Sequence, residues 1–277
     1  MSDPNTSSIS GRGAHWLAAL TDGAGAVDGY PASLRVVDAP LGDMPARYIA
    51  VVPDPDNRFP RARAGEVGLL EGWSLARAVG EAVAADENKD MKRVIVAVID
   101  VPSQAYGRAE EAFGIHQALA AAAESYARAR NAGHPVLGLI VGKAMSGAFL
   151  AHGYQANRLI ALDDADVQVH AMGKQAAARI TQRSVEGVEK LAETITPMAY
   201  DIASFDRLGL LHACLSVGDA DTPSDADIAT VRESLNAALA DIGVHAEHDR
   251  DLSSRLDGKG RAASVEVRKR LRAQWRG

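Results

Sequence analysis

A single cysteine, Cys214, stands among 277 residues, so no intramolecular disulfide can form and no Cys-x-x-Cys pair exists to bind a metal or cycle thiols. It lies in the strand-like run Leu211-His212-Ala213-Cys214-Leu215, where the role of a small buried apolar residue fits better than that of a catalytic thiolate. A basic segment followed by an apolar core is missing from Met1 to Ser10, which is polar and serine-rich, so no secretory signal is read there. Apolar runs are much too short to cross a bilayer. Together with the lone thiol, these absences lead to the expectation of a cytoplasmic protein without a membrane partner.

Several catalytic patterns are also missing. The histidines His116, His152 and His170 have no Ser, Asp or Cys at a telling spacing, and there is no His-x-x-x-His pair or Asp cluster, so no metal site is expected and packed or surface histidines are the default. Ser146 follows a strand-like run, yet Gly-Lys-Ala-Met-Ser-Gly departs from the Gly-x-Ser-x-Gly of a hydrolase nucleophile. The Gly-x-x-x-x-Gly-Lys-Ser/Thr of a phosphate-binding loop is absent too. No internal repeat is visible.

What remains is ample apolar material. Hydrophobic residues make up 47% of the chain, enough for the core of one large α/β domain or two small ones. Charge is uneven: His245 to Gly277 carries nine bases and five acids, leaving 21 bases and 31 acids upstream, against a net charge of −6 overall. A net acidic body argues against tracking a nucleic-acid backbone, and the basic tail reads as a separate unit.

Residues 1 to 13 are too polar to pack and are expected to be disordered. Ser33–Val37 and Arg47–Val52 read as two strands, an antiparallel pair being the simple arrangement, with prolines at 40, 45, 53 and 55 separating and ending them. Glu66–Ala85 has helical spacing. Arg93–Val101, almost continuous in Val and Ile, reads as a strand covered on both faces. A loop from Ser103 to Arg108 leads to one long helix, Ala109 to about Asn131, closed by Gly133 and Pro135. Val136–Val141 is the next strand, Gly142–Gly147 a small-residue loop, and Ala148–Ala151 a helix. Strands follow at Arg158–Leu162, Val167–His170 and Leu211–Val217, with helices from Thr196 to Phe205 and Asp225 to Ile242 and a short one in the tail. This alternation predicts α/β layers: one domain over residues 14–244, with a basic tail at 245–277.

Two segments share a design. In Asp100-Val101-Pro102-Ser103-Gln104-Ala105-Tyr106-Gly107-Arg108-Ala109-Glu110-Glu111 and in Val141-Gly142-Lys143-Ala144-Met145-Ser146-Gly147-Ala148, a buried strand opens through a glycine-bearing loop into a helix start. Such a junction aims unpaired backbone N–H groups at one point and suits an anion or a developing oxyanion. The order Asp-x-Pro, Gly-x-Ala-Glu-Glu, Gly-x-x-x-Ser-Gly-Ala resembles the carboxyltransferase branch of the crotonase superfamily over about residues 30–244, and within it the gamma subunits of biotin-independent malonate decarboxylase.

The resemblance implies a crotonase-like (ClpP/crotonase) fold of repeated ββα units. It also implies a heterodimer with a related beta subunit that decarboxylates a malonyl thioester on the phosphopantetheine-type arm of an acyl carrier protein. An acyl carrier protein transferase alpha subunit would complete the assembly, and no cofactor or metal would be bound directly. Carried onto this chain, Gly107, Arg108, Met145, Ser146 and Gly147 become the enolate-stabilising positions, and Tyr106, Gly142, Lys143 and Ala144 line the substrate. The chain departs from more glycine-rich relatives at Ser103, Gln104, Ala144 and Met145. Tyr106 is a candidate proton donor, with loop packing as the plainer reading. A lysine paired with the malonyl carboxylate would hold its charge and oppose its loss, so Lys143 reads as solvated or as touching a partner. The tail, being basic, suits docking of an acidic carrier. Two other readings stay open, a biotin-dependent carboxyltransferase subunit and a non-catalytic partner that only stabilises the beta subunit.

Overall fold

The computed structural model describes residues 9–244, 252, 255 and 259–275. Seven strands form one sheet: β1 (Leu34–Leu41), β2 (Met44–Val51), β3 (Val94–Val101), β4 (Val136–Met145), β5 (Arg158–Leu162), β6 (Gln168–His170) and β7 (Ala213–Leu215). The order is β1-β2-β3-β4-β5-β7, with β6 added to the end of β4. Among the described strands β1 and β2 pair antiparallel and the other ladders are parallel, with one isolated antiparallel bridge from Gln168 to Asp201. The expected strand pair is therefore present but longer than predicted. Pro40 and Pro45 sit opposite each other inside it rather than ending it, which is tolerated because β1 forms the sheet edge and Pro45 lies before β2's pairing with β3, which begins at Ala46.

β3 is buried along its whole length, the reason its sequence is continuous in Val and Ile rather than alternating. Helices α2 (Leu69–Ala85) and α4 (Ile115–Asn131) pack together beside the sheet, while α1 (Arg12–Leu20) and α9 (Asp225–Val244) pack on other parts of it and on each other. At Gly72, α2 and α4 are too close for a side chain, since a Cβ there would collide with the Ala118 backbone. Glu71, with no solvent exposure, is satisfied by Ser33 Oγ (2.5 Å), Asn57 Nδ2 (2.8 Å) and the Gly68 N–H (3.0 Å), which ties α2's first turn to two loops.

Three expectations need correction. Helix α1 starts at Arg12, inside the segment expected to be disordered; residues 1–8 lie outside the described residues. Arg12 is buried because its guanidinium binds Asp221 and Asp164, which hold it well above its ordinary pKa, Asp221 contributing most. The predicted long helix at 109–131 is two helices, α3 (Arg108–Ala112) and α4, parted at Gly114, whose φ of 83° no ordinary side chain adopts easily. Likewise the helix expected from Thr196 is a 3₁₀ turn (Thr196–Met198) followed by α8 (Ile202–Arg207), with Asp201 capping the latter through the Ser204 N–H.

The segment after β6 folds into α6 (Lys174–Thr181) and α7 (Val185–Ala192). With Tyr200 they form a second small core around Met145. In the tail, α10 spans Ala262–Trp275 with its side chains mostly exposed, and the boundary expected at residue 245 lies outside the described residues. None of the described helices is long and apolar enough to cross a membrane.

Candidate active site

The stretch Gly142–Met145, expected as a loop, continues β4. The register explains why. Ile99 pairs with Ile140 but Val101 pairs with Ala144, so β4 carries extra residues opposite Asp100, a bulge that re-aims the strand. The Asp100 carboxylate fills the gap, accepting from the Lys143 N–H (3.0 Å) and Ser10 Oγ (2.5 Å). It stands where a Cβ on Gly142 would go, so Gly142 is a packing requirement of the bulge. Ala144 is fully buried, and only the Lys143 side chain is partly open.

Beyond the bulge, β4 pairs with β6 through Lys143, Ala144 and Met145, and the chain then turns into α5 (Ser146–Ala151). Ser146 holds φ at 61°, a left-handed conformation that costs a non-glycine residue about 1 kcal/mol or more. On the other strand, the loop after β3 is pinned by Val67, whose N–H and C=O bond Ser103 O (3.0 Å) and Ala105 N (2.9 Å). Gly107 then caps α3 in extended backbone. The N–H groups of Gly107 and Arg108 take no acceptor within the described chain. A Cβ on Gly107 would meet Arg61 and Glu110.

The two loops are joined by Gln104, whose Oε1 accepts from the Gly147 N–H at 2.9 Å. Gln104, three residues before Gly107, thereby ties the two turns together and occupies the Gly147 N–H; of the expected positions Ser146 and Gly147 line the adjoining cavity, and Gly107, Arg108 and Tyr106 do not. Tyr106, next to Gly107, is 51% exposed. Gly142 and Ala144 lie further back in the strand. Since α3 has five residues and α5 six, neither is long enough for a large dipole, and individual N–H groups carry the electrostatics.

Ser146 and Gly147 open onto a cavity of about 560 Å³ bounded by Phe149, Leu150, Met172 and Phe205 among others, with no Asp, Glu, Lys or Arg among the described residues that line it. His170, the last residue of β6 and the register partner of Met145, faces the same cavity. The sequence offers no Ser, Asp or Cys at a telling spacing from His170, and its stacking partner Tyr200 is distant in the chain; Gln104 stands out there only as a departure from glycine, and Asp100 only as part of a motif. No hydrogen bond links Ser146 Oγ to a histidine within the described chain, so the pair that would activate a serine nucleophile is not formed. Ser146→Gly is therefore expected to leave turnover intact and to stabilise the fold by ~1 kcal/mol through relief of the left-handed φ. Urea unfolding checks the stability and a single-turnover assay the activity.

Comparison with known proteins gives the family and the fold. The family model for the malonate decarboxylase gamma subunit matches residues 62–275, so the basic tail falls within the family unit. A Pseudomonas malonate decarboxylase hetero-tetramer in complex with coenzyme A has a chain 62% identical to this one, covering 95% of this chain and 99% of that one with a TM-score of 0.91. A Pseudomonas malonate decarboxylase MdcD–MdcE hetero-dimer has one 58% identical, covering 97% and 100% with a TM-score of 0.88. The malonyl-S-ACP:biotin-protein carboxyltransferase of Malonomonas rubra is 37% identical over 175 residues, 62% of this chain; the match spans 60% of that relative's length. The mixed, largely parallel sheet and the structural likeness give the crotonase-like α/β fold that the motifs implied. A parallel-sheet scaffold with paired strand-to-helix turns, matched to one family model over most of its length, places this chain in the malonate decarboxylase gamma subunit family.

Proposed function

We propose that this chain is the gamma subunit of a malonate decarboxylase, pairing with a beta subunit to remove CO2 from a malonyl thioester. The observation that supports this best is the Gln104–Gly147 hydrogen bond, which ties the loop before Gly107 to the Ser146–Gly147 turn, itself on a cavity with no Asp, Glu, Lys or Arg among the described residues that line it. A carboxylate in such surroundings loses solvation that neutral CO2 does not need, so the surroundings favour the loss. The C–C bond breaks, CO2 departs, and its electron pair passes to the thioester as an enolate. Backbone N–H donors at Gly107 and Arg108 answer that developing charge, each worth about 3 kcal/mol. Gly147 would join them once substrate displaces Gln104, while Met145 and Ser146 shape the turn and Tyr106, Gly142, Lys143 and Ala144 border the substrate path.

The finer parts of the reading follow the family. The substrate rides on the phosphopantetheine-type arm of an acyl carrier protein, supplied with the help of a transferase alpha subunit, in the cytoplasm. The carboxyltransferase-type domain is the unit expected at 14–244, extended back to include Arg12 at the start of α1, and the tail at 245–277 helps dock the carrier, for which Arg268, Lys269, Arg270 and Arg272 on α10 supply positive charge. A second reading, a carboxyltransferase subunit acting with biotin, is favoured by one observation, the name of the Malonomonas rubra relative.

Co-expression with the beta subunit, followed by a CO2-release assay on malonyl carrier protein, decides between them. Release without biotin is the expected result. Release only when a biotinylated carrier is added would transfer the assignment to the second reading, and no release from an assembled heterodimer would defeat the proposal.

A further inference from the structure

Loss of CO2 leaves a carbanion that must gain a proton at carbon, and the cavity beside Ser146 holds one imidazole. His170 ends β6 and is aligned with Met145 across the strand pair, so it sits one residue from the Ser146 turn. Its ring is fixed from two sides. It stacks on Tyr200 with centroids 3.9 Å apart and planes 16° apart, and Nδ1 lies 2.9 Å from the Met172 carbonyl. Nδ1 also lies 3.2 Å from the Met172 N–H, but the shorter contact is with the carbonyl, which only accepts, so in the tautomer that makes this bond Nδ1 holds its proton and Nε2 carries the exchangeable site. Nε2 has no partner in the described chain and is not sealed from solvent. Among the described residues lining the cavity, Tyr154 is the only other titratable side chain, and Tyr106, half in solvent outside that lining, has no such orienting contacts.

We infer that His170 is a catalytic residue of this reaction, the group that passes a solvent proton through Nε2 to the carbon freed by CO2 loss. The step balances: Nε2 of the neutral ring takes a proton from water, which leaves hydroxide to the solvent, and passes it to the carbanion pair, forming the acetyl C–H bond and returning the ring to its neutral Nδ1–H form. Burial lowers the His170 pKa against the opposing pull of the Met172 carbonyl, so the resting ring is mainly neutral and does not pin the malonyl carboxylate as a fixed cation would. The negative charge that develops on decarboxylation then draws the proton to it.

The inference rests on the decarboxylase reading, and the experiment separates the two. The wild-type heterodimer is assayed first, and CO2 release there establishes the reaction independently of His170. His170→Ala and His170→Gln heterodimers are then compared for acetyl formation and for exchange of labelled CO2 into the malonyl pool. The expected result is a fall in acetyl formation of at least about tenfold, with exchange per turnover rising because the unprotonated enolate survives to recapture CO2. Added imidazole should restore acetyl formation to His170→Ala. A disturbed scaffold would lower exchange and turnover together and would not answer to imidazole. That outcome, or wild-type turnover in either variant, overturns the inference; the glutamine variant keeps the question open to test if the alanine variant does not assemble.

Discussion

Gly147→Val in the assembled heterodimer is expected to lower kcat roughly a hundredfold while leaving the complex intact. A valine Cβ would occupy the place of Gln104 Oε1 and crowd its Cδ at 3.1 Å, and the next residue, Leu119, has its Cδ1 at an ordinary 3.6 Å. The group that must move is thus the far end of a flexible side chain, not backbone. Losing that hydrogen bond costs the fold about 1 kcal/mol, too little to unfold a domain of this size. Catalysis loses more, because the bond aligns the Ser146 turn with the Gly107 turn and because a branched side chain would stand over the N–H meant for the enolate. Gly107→Val meets Arg61 and Glu110 in the same way and makes a second test of the other turn. Size-exclusion chromatography establishes assembly, and the CO2 assay reads turnover. Full activity in both assembled variants would show that neither turn belongs to the active site and would leave this chain a stabilising partner.

The parts of this arrangement legible in the sequence are those set by local pattern. The Val and Ile run of β3, the apolar spacing of α2 and α9 and the alternation of strand and helix each follow from burial that neighbouring residues share. The two glycine turns could be located for the same reason. Their wiring could not. Asp100 and Lys143 meet across 43 positions, as do Gln104 and Gly147, and only the parallel pairing of β3 with β4 brings them together. The Gly142–Met145 segment looked like a loop because small residues and a lysine carry no strand signal. It is a strand because β6 supplies a partner ladder that periodicity does not reveal. His170 illustrates the same limit: its significance comes from a stack with Tyr200, thirty positions away, and from a register opposite Met145.

The second large effect is on stability in mild acid. His152 closes α5 and is fully buried, with Nε2 3.0 Å from the Val98 carbonyl and Nδ1 3.0 Å from Tyr126 Oη. Because the carbonyl only accepts, Nε2 carries the proton and Nδ1 accepts from the tyrosine hydroxyl, which fixes the neutral ring and joins α5 to β3 and α4. Burial pushes the His152 pKa down to about 4, with the Val98 bond opposing it. A depressed pKa means the unfolded chain takes up the proton first. The contribution is complete above the ordinary value of 6.5, and it is lost as pH falls toward 4, amounting to about 2 kcal/mol by pH 5. Asp86, held low by Arg93 and Lys89, stays ionised in both states through that window and contributes its own loss only below the ordinary carboxylate range. His134, His170 and His212 are also lowered by burial and add to the same slope. The expected result is therefore a difference between proteins. Urea unfolding at pH 7 and pH 5 should show the wild type losing about 2 kcal/mol more than the Tyr126→Phe/His152→Leu variant, which replaces the polar pair by apolar groups and keeps the remaining histidines. Equal losses in the two proteins would mean that the imidazole is charged in the folded state, and the account of how α5 is anchored beneath the Ser146 turn would fall with it.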